Sequence, residues 1–385
     1  MSKIPPFDLS EQYKIIGDEV NAAVLAVLAS GRYIGGDHVE GFEQQFAAYI
    51  DTSECIACNS GTDALFLALR ALHIGPGDEV ITTPFTFIAT AEVISAVGAT
   101  PVFVDIEAYT FNLNLDQVEA AITERTRAIM PVHLFGQPVE MPRLMAIAQQ
   151  HQLTVVEDCA QAVGAEWADQ KVGGIGHIGC FSFYPTKNLG ACGDGGAVTT
   201  NDPEIAATIR MLRDHGRRAG GYYHEAIGVN SRLDALQAAI LQVKLRYLDT
   251  WNSQRRAVAD RYRHLLQHVP GIVLPQEPVG GKGVWNQYTL RIPSTDQQTE
   301  QDQHCRRDQV RQHLQADGVS SMVYYPLPLH LQPIYQAQKQ QLGQHLIAEQ
   351  AANEVLSLPM FPELSPDVQD RVVYSLKDCL AGVIV

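Results

Sequence analysis

The stretch Phe-Ser-Phe-Tyr-Pro-Thr-Lys-Asn-Leu-Gly, residues 181–190, joins an apolar run to a single lysine. The aromatic and apolar residues before Pro185 predict a buried strand that stops at the proline. Lys187 follows, shortly before the glycine-rich segment 193–196. A partly desolvated lysine loses its proton readily and can form a Schiff base with an aldehyde. Because a lone lysine is more often an exposed loop residue, the neighbouring motifs decide between the two interpretations.

Strands and helices alternate along the chain before this stretch. Two helices are predicted first, at 11–30 and 39–50. Apolar runs typical of strands then alternate with amphipathic segments: strands near 56 and at 80–82, 101–104, 128–132 and 153–157, and helices at 62–72, 86–97, 116–122 and 141–150. This rhythm predicts an α/β fold in three α/β/α layers, with a mostly parallel central sheet. Such sheets bind ligands beyond the carboxyl ends of their strands.

The pattern changes after Lys187 and suggests a second domain. A strand is predicted at 197–200, and one long helix at about 232–264. We expect that helix to lead from a large domain, residues 1–250, into a smaller C-terminal α+β domain, residues 251–385. The polar segment 294–308 is predicted to be a solvated loop.

The composition excludes several classes of protein. The chain has 385 residues and a formal net charge of −15, which argues against nucleic-acid binding because phosphate contacts need a cationic surface. No run of about 18 apolar residues occurs, and no basic segment followed by an apolar one opens the chain. We therefore expect neither a membrane span nor a secretory signal.

The seven cysteines are scattered, which favours a reduced, cytoplasmic protein. Cys55 and Cys58 have the CxxC spacing of some zinc and redox sites. No second pair accompanies them, and the segment 54–58 looks like a short buried strand. We favour core cysteines here and expect no metal.

Three further motifs fall at predicted strand ends. The segment 59–63 can offer a glycine and the amides of a helix start to a phosphate, although its polar residues are also ordinary helix caps. Asp158 ends a buried strand and needs a cationic partner, which a protonated ring nitrogen or a core salt bridge could supply. The segment 83–87 offers an aromatic face or simply core aromatics. With Lys187, these features match the phosphate, the ring nitrogen, the flat ring and the aldehyde of pyridoxal 5′-phosphate (PLP).

At the level of whole motifs the chain resembles the DegT/DnrJ/EryC1/StrS family of sugar aminotransferases, which have the aspartate aminotransferase-like, fold-type I architecture of PLP enzymes. The resemblance runs in order along nearly the whole chain, through segments at 7–9, 30–36, 59–65, 75–81, 131–137, 157–161, 182–196, 228–234 and 325–330. It implies the PLP-transferase version of the three-layer fold.

The resemblance also implies roles for individual residues around the cofactor. Lys187 would carry PLP through a Schiff base and shuttle protons, and Asp158 would pair with the ring nitrogen. The remaining cofactor contacts would be Gln161 to the ring oxygen, Phe87 stacked on the ring, Gly61, Thr62 and Ser182 at the phosphate, and Asn230 at the phosphate of the neighbouring subunit. The active unit would then be a homodimer with shared sites.

The implied reaction takes an amine from L-glutamate and gives it to the keto group of a nucleotide-linked sugar. Candidate contacts to that substrate are Tyr184, Arg217, Tyr223, Arg232, Tyr324 and His330. Each of them could equally be structural.

Three alternatives remain open from the sequence. A PLP-dependent sugar dehydratase of this family would carry histidine at the anchor position, where this chain has Lys187. A cysteine desulfurase would need an activated loop cysteine, for which Cys192 is the nearby candidate. A non-catalytic, PLP-binding regulatory protein would need a DNA-binding module, and neither a basic patch nor an appended helix-turn-helix is found.

Overall fold

The computed structural model describes residues 3–218, 221–294, 306–338 and 341–383. Its strands are β1 (Glu54–Cys58), β2 (Glu79–Thr82), β3 (Thr100–Phe103), β4 (Thr126–Ile129), β5 (Thr154–Asp158), β6 (Glu166–Trp167), β7 (Gln170–Lys171), β8 (Ile178–Ser182), β9 (Gly196–Thr200), β10 (Gly281–Lys282), β11 (Tyr288–Arg291) and β12 (Val355–Leu358). Its helices are α1 (Ser10–Ser30), α2 (Asp37–Ile50), α3 (Gly61–Ala71), α4 (Ala89–Ala96), α5 (Leu115–Ala121), α6 (Met141–Gln150), α7 (Pro203–Leu212), α8 (Ala235–Leu245), α9 (Leu248–Leu266), α10 (Arg306–Ala316), α11 (Leu346–Glu354) and α12 (Pro366–Val383). Within the described ranges, no helix combines the length and apolar character needed to cross a membrane.

A seven-stranded sheet in the order β1-β9-β8-β5-β4-β2-β3 forms the centre of the molecule. Strand β9 runs antiparallel to both of its neighbours, and the remaining neighbouring pairs are parallel. The mostly parallel sheet predicted from the apolar runs is therefore confirmed. Strands β1, β2, β5, β8 and β9 are buried on both faces along nearly their whole length, which is why they read as apolar runs rather than as alternating ones.

Helices cover both faces of this sheet and complete the three predicted layers. On one face, α2 and α8 pack against β1, β8 and β9 through a cluster that includes Phe42, Phe46 and Phe181. On the other, α3 and α7 pack over the same strands through Leu65, Leu69 and other aliphatic residues, and α4 packs over β2 and β3. Cys55 and Cys58 lie on β1 and are buried, as predicted for core cysteines. The six described cysteines are all free thiols, and a cytoplasmic location stays a prediction.

The prediction of one long helix at 232–264 is wrong. Two helices, α8 and α9, occupy that range and are separated by Arg246 and Tyr247. Both side chains donate hydrogen bonds to Glu19 of α1, and the Tyr247 ring stacks on Trp251 with centroids 5.8 Å apart. The break is held by these tertiary contacts, and neither proline nor glycine marks it in the sequence.

A separate apolar cluster gathers residues from Val258 to Leu380 around the antiparallel pair β11–β12. Ile4 packs into the same cluster, so the N-terminal segment contacts the C-terminal part of the chain. The division into domains at residue 250 stays a prediction. Of the predicted polar loop 294–308, residues 295–305 lie outside the described residues, and α10 already begins at Arg306.

Candidate active site

A cavity of about 460 Å³ lies at the carboxyl ends of β5 and β8 and beside the start of α3. Its walls include nine of the residues predicted from the sequence to form the site: Gly61, Thr62, Phe87, Asp158, Gln161, Ser182, Tyr184, Lys187 and Tyr324. They also include Thr86, Thr90, Gln287 and Tyr325, which were not among the predicted site residues. We call this space the Lys187 cavity.

Lys187 lies in the tight turn after β8, where its backbone N–H donates to the Tyr184 carbonyl at 2.9 Å. The next residue is fixed more firmly, because the Asn188 side chain donates to Asn252 Oδ1 at 2.7 Å and to the Val284 carbonyl at 2.9 Å. Loss of hydration lowers the pKa of the Lys187 amine to about 8, and the nearby Asp158 carboxylate opposes that shift. About a tenth of the amine is therefore neutral and nucleophilic at pH 7, far more than an ordinary lysine with a pKa of 10.5 would provide.

Asp158 ends β5 and turns its carboxylate into the Lys187 cavity, where it is 4% exposed. The Ala160 N–H donates to Oδ1 at 3.1 Å, and the Thr90 hydroxyl donates to Oδ2 at 2.8 Å. Burial raises the pKa of the Asp158 carboxyl, while these two hydrogen bonds and the charge of Lys187 act in the opposite direction. The carboxylate has unused acceptor capacity facing the cavity.

The start of α3 contributes a group of backbone amides to the cavity wall. Ser60 caps this helix by accepting from the Asp63 N–H at 3.1 Å. The N–H groups of Gly61 and Thr62, at the helix start, have no partners within the helix. A Cβ placed on Gly61 would lie only 2.6 Å from the Ser182 Cβ, so the close approach of these two segments requires glycine. Amides and the Ser182 hydroxyl can together bind an anion such as a phosphate.

Gln161 is oriented by two contacts on the wall of the cavity. Its Oε1 accepts from the Phe135 N–H at 2.7 Å, and its Nε2 donates to the Tyr325 hydroxyl at 3.1 Å. Because these two contacts fix the orientation of the amide, the second Nε2 hydrogen is available to a ligand. Phe87 is 56% exposed and presents its ring at the cavity, 6.4 Å from that of Tyr325.

The side chain next to Asp158 points to the other face of β5 and forms a closed polar cluster. Glu157 Oε2 accepts from His133 Nε2 and the Gly173 N–H, both at 2.9 Å, and Oε1 accepts from the N–H groups of Ile175 and Gly176. The Val139 N–H donates to His133 Nδ1, so the ring hydrogen lies on Nε2. We call these residues the Glu157 cluster.

Cys159 brings its sulfur within 4.8 Å of the His133 and Glu157 ligand atoms, a spacing that could suit a metal. Both histidine nitrogens and both carboxylate oxygens are already used in hydrogen bonds to the protein. Burial also raises the pKa of the Cys159 thiol, which disfavours the thiolate form that binds metals. The geometry supports a structural role for this cluster.

The structure does not bring His330 to the cavity. The prediction of a substrate contact fails because His330 is completely buried, with Nε2 2.9 Å from Glu349 Oε1 on α11. Its ring also packs against His345, with centroids 4.6 Å apart. His330 anchors the segment that carries Tyr324 and Tyr325 to the cavity.

Four other predicted residues lie away from the Lys187 cavity of their own chain. Arg217 and Arg232 both bind Asp214, at 2.6 and 2.9 Å, and line a second depression of about 810 Å³. Tyr223 is 84% exposed, and Asn230 is exposed beside the same depression. Arg210, Arg213 and Arg218 also line it, so we call it the arginine groove. Cys192 is exposed, and its backbone N–H donates to Gln237.

The groups around the Lys187 cavity fit PLP. An amine with a lowered pKa can bond to its aldehyde, and a buried carboxylate can pair with its ring nitrogen. The helix start with Ser182 can receive its phosphate, and Phe87 can cover one face of its ring. The donor set and the cavity size agree with a cofactor of this kind.

Comparison with known sequences decides the family. The sequence model of the DegT/DnrJ/EryC1/StrS aminotransferase family matches residues 14–377. The chain belongs to this family. The resemblance drawn from the motifs is thereby confirmed, and the chain is a PLP-dependent aminotransferase.

Three curated relatives match nearly the whole chain. A "Pleiotropic regulatory protein" of Geobacillus stearothermophilus is 48% identical over 97% of this chain and 98% of its own length. A dTDP-3-amino-3,4,6-trideoxy-alpha-D-glucose transaminase of Streptomyces venezuelae is 46% identical over 98% and 96%. A UDP-N-acetyl-3-dehydro-alpha-D-glucosamine 3-aminotransferase of Acidithiobacillus ferrooxidans is 44% identical over 98% of each chain.

Two solved structures of the family agree with the fold. DesV of S. venezuelae, in complex with a ketimine intermediate, has a TM-score of 0.93 and 45% identity, covering 99% of each chain. The NtdA structure from Bacillus subtilis, with bound PMP, has a TM-score of 0.88 and 32% identity, covering 99% of this chain and 86% of its own. These similarities confirm the predicted fold class.

Proposed function

We propose that this aminotransferase moves an amino group from L-glutamate to a keto group of a nucleotide-diphosphate-linked sugar, for amino-sugar biosynthesis. The names of the dTDP- and UDP-sugar relatives support this substrate class. The observation that carries the proposal is the presence, in one cavity, of the Lys187 amine with a pKa of about 8 and the Asp158 carboxylate. The retained lysine disfavours the dehydratase alternative, which places histidine at this position.

Lys187 has two proposed roles at the cofactor. PLP, when bound, supplies an electron sink for the carbon that loses a proton. The Lys187 amine would hold the cofactor through its aldehyde carbon and, when free, would be the base that takes the proton from the substrate carbon and delivers it to that cofactor carbon. Its lowered pKa suits both roles, because the neutral and charged forms are both accessible near neutral pH.

Asp158 and Gln161 would contact two different atoms of the cofactor, the ring nitrogen and the ring oxygen. The Asp158 carboxylate holds a proton on the ring nitrogen, which makes the ring a stronger electron acceptor. The Gln161 Nε2 offers a hydrogen to the ring oxygen, since its Oε1 is held by the Phe135 N–H. Ser182, Gly61 and Thr62 hold the phosphate, and Phe87 covers the ring. All of these roles are parts of the proposal.

A homodimer with shared sites completes the proposed enzyme. Asn230 and the arginine groove do not face the Lys187 cavity of their own chain. In the dimer Asn230 reaches the partner's cofactor phosphate, and Arg217, Arg232 and Tyr223 contact the nucleotide part of the substrate. This arrangement would bring to the diphosphate five arginines that outnumber by one the carboxylates they pair with, Glu43, Glu54, Asp214 and Glu225. Tyr184 and Tyr324 lie at the cavity itself and contact the sugar.

The test uses the purified holoprotein. L-Glutamate should release 2-oxoglutarate and abolish the visible absorption band of the lysine-linked cofactor. A panel of dTDP- and UDP-linked keto sugars should then restore the band and yield an amino sugar from at least one member. If glutamate changes nothing, the donor is wrong. If glutamate reacts but no sugar in either series does, the substrate class is wrong.

A further inference from the structure

Two threonine hydroxyls form a hydrogen-bonded chain that ends at the Asp158 carboxylate. The Thr90 hydroxyl, in the first turn of α4, donates to Asp158 Oδ2 at 2.8 Å, and the Thr86 Oγ1 lies 3.1 Å from the Thr90 Oγ1. The exposed fractions of the three residues are 3% for Thr86, 1% for Thr90 and 4% for Asp158.

Counting hydrogens fixes the direction of this chain. A hydroxyl has one hydrogen, and that of Thr90 goes to Asp158, so its oxygen can only accept from Thr86. Both donors thus point towards the carboxylate. Hydrogen bonds aligned in this way polarise one another and strengthen the last one.

Few other groups hold the Asp158 carboxylate in place. Across the part of the chain that the structure describes, Oδ2 accepts from Thr90 and Oδ1 accepts from the Ala160 N–H. The second is a backbone contact that a side-chain substitution leaves in place. Lys187 also favours the ionised carboxylate through its charge, and Tyr325 lies beside the same cavity. Thr90 is the side chain that acts on the carboxylate directly.

We propose that Thr90, backed by Thr86, is a positioning residue that keeps Asp158 ionised and directed at the ring nitrogen of the cofactor. The inference rests on the proposed function, because it takes PLP as the ligand of the cavity. A hydrogen bond to a carboxylate favours its charged form, and burial without that bond favours the protonated form. Loss of the Thr90 hydroxyl moves the shared proton from the ring nitrogen towards Asp158.

The experiment compares two cofactors bound to apoprotein. One is PLP, and the other is 1-deazapyridoxal 5′-phosphate, in which a C–H group replaces the ring nitrogen and cannot pair with Asp158. Thr90→Val should reduce the preference for PLP over the analogue by about tenfold or more, the effect expected for one hydrogen bond to a charged group. Thr90→Ser, which keeps the hydroxyl, should retain the wild-type preference.

Two matched variants complete the series. Thr86→Val should shift the preference in the same direction by a smaller factor, because its hydroxyl acts through Thr90. Ser95→Ala also removes a hydroxyl from α4, but that hydroxyl donates to the Ala91 carbonyl and not to Asp158. This variant should leave the preference for PLP unchanged. Equal weakening of both cofactors by Thr90→Val would indicate a packing role and overturn the proposal, as would an unchanged preference. A wild-type protein that binds no PLP would instead overturn the proposed function.

Discussion

Glu157 and Asp158 are adjacent on β5, both are buried, and they differ in how their oxygens are used. Glu157 accepts four hydrogen bonds, three of them from backbone N–H groups, within the closed Glu157 cluster. Asp158 accepts two and faces the Lys187 cavity. Successive side chains of a strand point to opposite faces, so one residue step separates a structural carboxylate from a reactive one.

The difference lies in the remaining acceptor capacity, since exposure does not distinguish the two residues. Glu157 is 0% and Asp158 4% exposed, so both need partners inside the protein. The four hydrogen bonds to Glu157 all come from the chain itself, and they hold the loop at 173–176 against the sheet. Asp158 keeps lone pairs for a ligand that brings its own proton. A buried carboxylate with unused acceptor capacity at a cavity marks a functional site.

The largest expected effect is on activity and follows from Asp158→Asn. The amide can no longer hold a proton on the cofactor ring nitrogen, so transamination should fall by about 10²–10⁴-fold, the range typical of losing one acid–base group. Steady-state turnover measures this effect. The apoprotein should unfold at a temperature no lower than wild type, because the substitution removes a buried charge. Near-normal turnover would contradict the assignment of Asp158 to the ring nitrogen.

Glu157→Gln should have the opposite effect, a loss of stability rather than of transamination. Its single oxygen can serve only part of the donors around it, and its NH₂ group would face backbone N–H groups. We expect the free energy of unfolding to fall by about 1–3 kcal/mol for each donor that is left without an acceptor. Urea unfolding of the apoprotein measures the loss. Stability equal to that of Asp158→Asn would show that the two carboxylates are not distinguished in this way.

A smaller effect is expected in the pH dependence of cofactor capture. The neutral fraction of Lys187 rises as pH passes through its pKa, so the rate of PLP capture by apoprotein should rise with a midpoint near pH 8. Asp158→Asn removes the charge that opposes the lowering of this pKa, so its midpoint should move to lower pH. Stopped-flow absorbance measures both curves. A wild-type midpoint close to the ordinary lysine value of 10.5 would contradict a desolvated amine.

The sequence predicted those parts of the molecule that depend on local pattern. Apolar runs located the strands of the parallel sheet, and helix α6 has the bounds that were predicted. The end of β5 and the turn after β8 were recognised because their polar residues directly follow buried runs. Sheet topology then brings these two segments together.

What the sequence could not show depends on contacts between distant segments. In the sequence Thr90 is an ordinary threonine of an amphipathic helix, and only the structure shows that it bonds Asp158 at the end of β5. Tyr325 follows a predicted site residue, yet its bond to Gln161 depends on how a C-terminal segment crosses the cavity. His330 belongs to the same motif as Tyr325, but it lies in the core, where it hydrogen-bonds Glu349 of the later helix α11. The break between α8 and α9 depends in the same way on Glu19.

The most direct test of the whole account is to reduce the holoprotein with borohydride and locate the cofactor by peptide mass mapping. The account predicts a single modified site at Lys187, no modification of Lys187→Ala, and normal labelling of a surface control such as Lys282→Ala, whose amine binds Glu166. Cofactor attached to a different lysine, or retained covalently by Lys187→Ala, would contradict it.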